Sequence, residues 1–230
     1  MDRIVEQLGT IMDSLVRFEV IRIGPVSITS TVVNTWIVMI LMFIGLRLLT
    51  RGGFREIPKG AQALLEVLVE AIYGLMDEPL GKEGRRYLWI TGSLFVFIFV
   101  LNVSWFIPGF VPPTTDIMTT AALAVTTIVI VQIMGIKAKG VKGYLANFAQ
   151  PVPIMLPMNI LEEIVKPFSL AIRLFGNMFG EKTVVTILGI LLPLLLPVPI
   201  MLLGLLMGGI QAFIFTLLSV MYLATQTKGH

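Results

Sequence analysis

Residues 87–107 read YLWITGSLFVFIFVLNVSWFI, an unbroken stretch without a charge. At about 1.5 Å per residue, a helix over it covers the roughly 30 Å of a bilayer's hydrocarbon core. It reads as a membrane-spanning helix, and the whole composition agrees. Of 230 residues, 56% are hydrophobic and 13% charged, against about a quarter charged in a typical soluble domain. The mean hydropathy of +0.92 would make such a chain insoluble unless lipid were its solvent.

Working outward from this span, residues 31–49 (TVVNTWIVMILMFIGLRLL) and 118–136 (MTTAALAVTTIVIVQIMGI) repeat the pattern. Two longer helical stretches follow at 159–192 and 197–224, joined by the uncharged LLPLLLPVP. Pro108, Gly109, Pro112 and Pro113 make the turn after the second span, and a Gly-containing loop follows the third. Residues 59–77 (KGAQALLEVLVEAIYGLMD) differ in kind. Leu64, Leu65, Leu68, Ile72 and Leu75 recur at helical spacing, with Glu66, Glu70 and Asp77 elsewhere around the wheel. That pattern predicts an amphipathic helix on the membrane surface or against a partner. Residues 1–30 mix apolar positions with Asp2, Glu6, Asp13, Arg17, Glu19 and Arg22 and are broken at Gly24-Pro25. They read as an external, interfacial segment without the features of a cleavable signal peptide. The expected architecture is all-α: a single membrane domain, 1–230, of five transmembrane helices plus one amphipathic surface helix.

Orientation follows from the distribution of lysine and arginine. The segment from Arg47 to Arg86 holds seven of them and the loop at 137–142 holds Lys137, Lys139 and Lys142, whereas 108–116 and 191–199 hold none. The positive loops face the cytoplasm, which puts the N-terminus outside and the C-terminus inside after five crossings. The net charge of +3 is thus accounted for by topology rather than by nucleic acid. There is no cysteine, and His230, the one histidine, is the last residue. Disulfides, thiolate sites and histidine-based metal sites are excluded, and no motif calls for a cofactor.

The fourth span, NILEEIVKPFSLAIRLFGNMFGEKTVV at 159–185, carries the chemistry. A charge at the bilayer centre costs about 2.5–3.5 kcal/mol on insertion scales, so its ionisable groups must face protein, water or one another. Glu162, Lys166, Ser169, Arg173, Asn177 and Gly180 are spaced by four, three, four, four and three residues and form one helix face. Arg173 lies roughly 16 Å along the axis from Glu162, near mid-membrane. A guanidinium there is a fixed positive charge: it attracts a passing carboxylate, repels a passing cation, and relays no proton readily. Glu162 lies toward the cytoplasmic end and Glu181 toward the outer end, an arrangement suited to two ion paths that must not join. Glu163 and Lys182 read as solvated helix-end charges. On the last span Gly204, Gly208, Gln211, Phe215 and Tyr222 share a side, with Ser219 beside them. The glycines allow close helix approach, and Gln211 is placed to bond Arg173 or to line the same path. Asp116, at the outer mouth of the third span, reads equally as a helix N-cap.

These residues carry a resemblance. KPFSLAIRLFGNMFGE (166–181) and QAFIFTLLSVMYL (211–223) resemble the two hallmark segments of subunit a of F-type ATP synthases, and PTTDIMTTAALAV (113–125) resembles the segment opening that family's third crossing. The resemblance implies a non-catalytic stator channel beside a rotating ring of c subunits, with its two long spans strongly tilted against the ring. It also implies a b-subunit peripheral stalk and a bacterial plasma membrane as the setting. Protons would enter by one half-channel, neutralise a ring carboxylate, ride nearly a full turn and leave by the other. Arg173 matches the family's essential arginine, and Asn177 and Gln211 match its polar neighbours. Asp116 and Glu181 would line the outer half-channel; Glu162, Ser169 and Tyr222 belong to the remainder of the ion path. The stretch FGNMFGEK departs from many members by one residue, so that either Glu181 or Lys182 takes the family's outer-channel position. A histidine that some relatives place opposite it corresponds here to Gly204.

Two readings differ from a proton-carrying stator. One is a sodium-carrying version of the same subunit. The other is a stand-alone transporter, which would be expected to show inverted repeats, and no repeat is found. A membrane enzyme needs a nucleophile with its base or paired metal ligands, and this sequence supplies neither.

Overall fold

The computed structural model describes residues 19–23, 26–51, 60–107, 110–148, 153–191 and 197–228. Among these residues an antiparallel ribbon of β1 (Glu19–Ile23) and β2 (Val26–Thr29) precedes six α-helices. The helices are α1 (Ser30–Thr50), α2 (Ala61–Leu80), α3 (Leu88–Val103), α4 (Ile117–Phe148), α5 (Leu156–Leu191) and α6 (Pro197–Lys228). Residues 1–18, the Gly24-Pro25 break, the Pro108-Gly109 pair and most of the expected 191–199 connection lie outside the described residues.

Apart from the ribbon, the described residues are mainly helical, in keeping with the expected all-α membrane class. α1, α3 with its flanking turns (Gly84–Phe106), α4 and α6 are long and apolar enough to cross a bilayer. α5 is longer, at 36 residues, but is not one of these four helices, so four of the five expected crossings are seen among the described residues. The β1–β2 ribbon departs from the all-α expectation. Its register pairs Ile21 with Ile28, Arg22 with Ser27 and Ile23 with Val26, with an irregularity between Glu19 and Ile21; β-branched residues on both sides of a Gly-Pro break favour a hairpin over a coil. The expected loop at 137–142 is instead a kink between two helical segments. α4 runs on past Ile136 and is broken only at Gly140, whose φ of 73° lies in the left-handed region that glycine tolerates.

α1 is apolar all round: Val38 is its one buried residue, while Trp36, Ile40, Phe43 and Leu48 are exposed. That is the surface of a lipid-facing helix. Its tie to the rest is polar, Asn34 Nδ2 donating to the carbonyl of Val111 at 3.0 Å. α2 buries Ile72, Met76 and Leu80, with Leu68 partly covered, one turn apart on one stripe. They meet Tyr87, Ile90 of α3, Val131 of α4, and Val220 and Leu223 of α6. The amphipathic face is therefore covered by the chain's own helices, and Glu66, Glu70 and Asp77 are exposed on its other side.

The second core lies where α3, α4, α5 and α6 meet. Ile98, Ile128, Leu170, Leu174, Met178, Ala212 and Phe215 are all buried there. In lipid such packing rests on close contact and interhelical hydrogen bonds rather than on exclusion of water. Gly208 shows both: a Cβ there would come within 3.1 Å of Asn102 Cβ, and the buried Asn102 Nδ2 donates to the Gly208 carbonyl at 3.0 Å. This contact fixes α6 against α3 and so presents the polar face of α6 to α5.

Candidate functional site

Arg173 is exposed, with no hydrogen-bond or ion-pair partner among the described residues. Its helix places it there: Leu170, Ala171 and Leu174 around it turn into the core, while Ile172 and Gly176 share its exposure. The outer surface of α5 is otherwise apolar over Leu161, Ile164, Val165, Phe168 and Phe179. A lone guanidinium in such a surface is costly in hydrocarbon and calls for a carboxylate from outside the chain.

One turn on, Asn177 Nδ2 donates to Gln211 Oε1 at 2.7 Å. Gln211 is buried at 1% exposure, so this bond, and not one to Arg173, joins the polar faces of α5 and α6. Gln211 Nε2 has no partner among the described residues. Asn177→Leu strips Gln211 of its one bond, at about 1–3 kcal/mol for a buried group left unsatisfied. The thermal midpoint of the purified complex should fall accordingly, and Asn177→Leu/Gln211→Leu should recover part of the loss. Strictly additive changes would mean that the two amides do not support each other.

Toward the C-terminal end of α5, Glu181 reaches across to α6. The position of a Cβ on Gly204 falls inside the Glu181 carboxyl group, so the glycine leaves the room which that carboxyl occupies. Glu181 Oε1 is buried without a hydrogen bond. Lys182, expected as a solvated helix-end charge, is buried at 7% exposure. Asp116 is a helix cap: Oδ1 accepts from the backbone N–H of Met118 at 2.9 Å, and the turn at 113–115 before it packs against α5.

At the opposite end the two adjacent glutamates part company. The Glu162 side chain is 65% exposed and sits 3.3 Å from Lys166 Nζ. Glu163, also expected to be a solvated end charge, is instead turned inward at 15%. It accepts from Lys166 Nζ at 2.5 Å, from Gln226 Nε2 at 2.7 Å and from Gln132 Nε2. Tyr144 donates its hydroxyl to Gln132 Oε1. Lys166 is buried and lies over the Tyr222 ring, 5.2 Å from its centre. Ser169 is half-buried on the same face. Sequence reasoning missed Gln132, Tyr144, Gln226 and Asn102. For the three amides the available signal is an isolated amide inside or at the end of an apolar span, the one that also marks Gln211; for Tyr144 the sequence offers none.

The geometry thus gathers Lys166, Glu162, Glu163 and Tyr222 at one end, Asn177 and Gln211 beside Arg173, and Glu181 against Gly204 at the other. Such an array can hold ions or protons toward the two ends of a helix whose middle carries a fixed charge. The sequence matches the family described as the ATP synthase A chain over residues 32–224. It is 58% identical over 212 residues to ATP synthase subunit a of Moorella thermoacetica, covering 92% of this chain and 97% of that one. It is 41% identical over 202 residues to ATP synthase subunit a 2 of a Bradyrhizobium species, covering 88% and 90% of the two chains. ATP synthase subunit a 1 of Syntrophotalea carbinolica is also 41% identical, over 197 residues, or 84% and 83%. The chain belongs to the ATP synthase subunit a family, as a multi-pass, non-catalytic subunit of that enzyme's membrane sector that takes part in ion transport for ATP synthesis.

Proposed function

We propose that this chain is the proton-conducting stator of its complex. Its single membrane domain holds five crossings, with α5 as the fourth and α6 the fifth, the N-terminus outside and the C-terminus on the cytoplasmic side of a bacterial plasma membrane. α5 and α6 lie tilted against a ring of c subunits, and a b-subunit stalk holds the chain still. Protons reach a ring carboxylate through an outer path lined by Asp116 and Glu181. They leave through an inner path past Glu162, Ser169 and Tyr222. Arg173, flanked by Asn177 and Gln211, separates the two paths and draws the proton from each arriving carboxyl group.

The observation that carries this reading is the unpartnered Arg173 on the apolar outer face of α5. An opposite charge within about 4–6 Å favours the ionised form of a carboxyl group, so a carboxylate passing there is driven to release its proton. The positive charge at the same time opposes direct passage of a cation between the paths.

The chain has no cysteine, so one introduced thiol is unique within it. Ile172→Cys, beside Arg173, is expected to form a disulfide with a cysteine placed next to the ring's membrane carboxylate. Val125→Cys, exposed on α4, is expected to form none. Equal cross-linking from both positions would overturn the assignment of the α5 face to the ring. For the ion itself, ATP-driven uptake by proteoliposomes in sodium-free buffer, collapsed by a protonophore, identifies protons. A strict sodium requirement would transfer the same geometry to sodium.

A further inference from the structure

We propose that Glu163 is a positioning residue: a carboxylate latch that locks α5 to α4 and α6 and so fixes the direction in which Arg173 faces. The proposal rests on the stator reading and assigns Glu163 a role distinct from that of Glu162, its neighbour in the sequence.

The latch is built from three helices. Glu163 Oε1 accepts from Lys166 on its own helix and from Gln226 on α6, while Oε2 accepts from Gln132 on α4. An ionised carboxylate only accepts, and every partner here donates. Tyr144 then holds Gln132 by its other amide atom. Two glycines make this possible. Gly140 breaks α4 with its φ of 73°, so that Tyr144 beyond the break returns to Gln132 within the same chain segment. A Cβ on Gly135 would stand 3.0 Å from Gln226 Cβ, so this glycine lets α6 approach α4 closely at Gln226. Gln226 is itself buried at 3% exposure.

The location explains why a latch is needed. Pro167 lies inside α5 and has no N–H, so the carbonyl of Glu163, four residues before it, loses its helical donor. The backbone is weakest at the point where the side chain is most strongly held. Arg173 lies ten residues beyond Glu163, about 15 Å along the axis. A rotation of α5 about its axis at the latch would swing the guanidinium away from a passing carboxylate. Glu162, mostly exposed and, among the described residues, bound only to Lys166, has no such hold on the bundle and is left available for exchange with water.

Glu163→Gln tests this directly, because it replaces one of the two acceptor oxygens with an amide donor, which must then face either Gln132 Nε2 or the Lys166 and Gln226 donors. In whole complexes reconstituted in liposomes, ATP-driven proton uptake is expected to fall, and passive proton leak to rise, each on the order of tenfold. The sign of the leak separates the latch from a proton-conducting group, whose loss lowers uptake and leak together. Gln132→Glu/Glu163→Gln moves the carboxylate across the same contact and is expected to restore both. If Glu163→Gln leaves too little of the chain in the complex to assay, recovery of its incorporation by the exchange variant supports the latch. A lowered leak, unchanged uptake and leak, or no recovery in the exchange variant overturns it. Arg173→Ala, assayed in parallel, reports on the stator reading: normal pumping there would reject that reading, whereas the latch is judged on the leak and incorporation of Glu163→Gln.

Discussion

Arg173→Ala is expected to abolish ATP-driven proton uptake by liposomes bearing the whole complex, while the chain remains in the complex at its normal ratio. Assembly survives because Arg173 is exposed and bonds to nothing among the described residues. Exposed substitutions usually change stability by no more than about 0.5 kcal/mol, and removing a charge from hydrocarbon lowers a cost rather than raising one. Function is another matter, since the fixed charge serves twice in the proposed cycle. A guanidinium beside a carboxyl group shifts its ionised-to-protonated ratio by roughly ten- to thousandfold, and without it the ring carboxyl groups would arrive and depart still protonated. The same charge is the barrier between the two paths, so passive leak should stay level or rise. Uptake at the wild-type rate with the variant chain incorporated would make the polar stripe of α5 structural and would reopen the transporter reading.

Much of this site can be read from spacing along one helix, because the period of an α-helix is fixed by its own hydrogen bonds. The face Glu162–Lys166–Arg173–Asn177 is of that kind, as are the faces of α2 and α6. What spacing cannot give is the rotation of each helix against its neighbours. Glu162 and Glu163 differ by about 100° around α5, and only the positions of Gln132 on α4 and Gln226 on α6 decide which of them turns inward. Those partners lie 31 and 63 residues away, beyond any local pattern. Lys182 illustrates the same limit: a lysine next to a helix-end glutamate resembles a solvated charge until the neighbouring helix covers it. The β1–β2 ribbon escaped notice for a different reason. Its strands of five and four residues are too short for alternation to stand out from an interfacial segment. The helical segments on either side of Gly140 are hidden by that glycine and three lysines, which read as a loop although a single non-helical residue is all that separates the two segments.

Gly204→Ala is expected to separate function from stability at the other end of α5. The added methyl group falls on the Glu181 carboxyl group, the far end of a flexible side chain that can swing to another rotamer. Because the carboxyl group moves rather than the backbone, the thermal midpoint of the complex should change by less than the equivalent of about 1 kcal/mol. The carboxyl group, however, leaves its place between α5 and α6. If the outer path needs it there, ATP-driven uptake should fall about tenfold, the effect of a free-energy change near 1.4 kcal/mol at the transferring group. Glu181→Gln should lower uptake by a similar factor, and Gly204→Ala/Glu181→Gln should be no worse than either alone, since both remove the same group from the same place. That non-additivity is the decisive reading. Independent losses that multiply would mean that Gly204 acts through something other than Glu181. Full uptake in Gly204→Ala would mean that the outer path does not depend on where the Glu181 carboxyl group sits, and would move the outer-path role to Lys182 or Asp116.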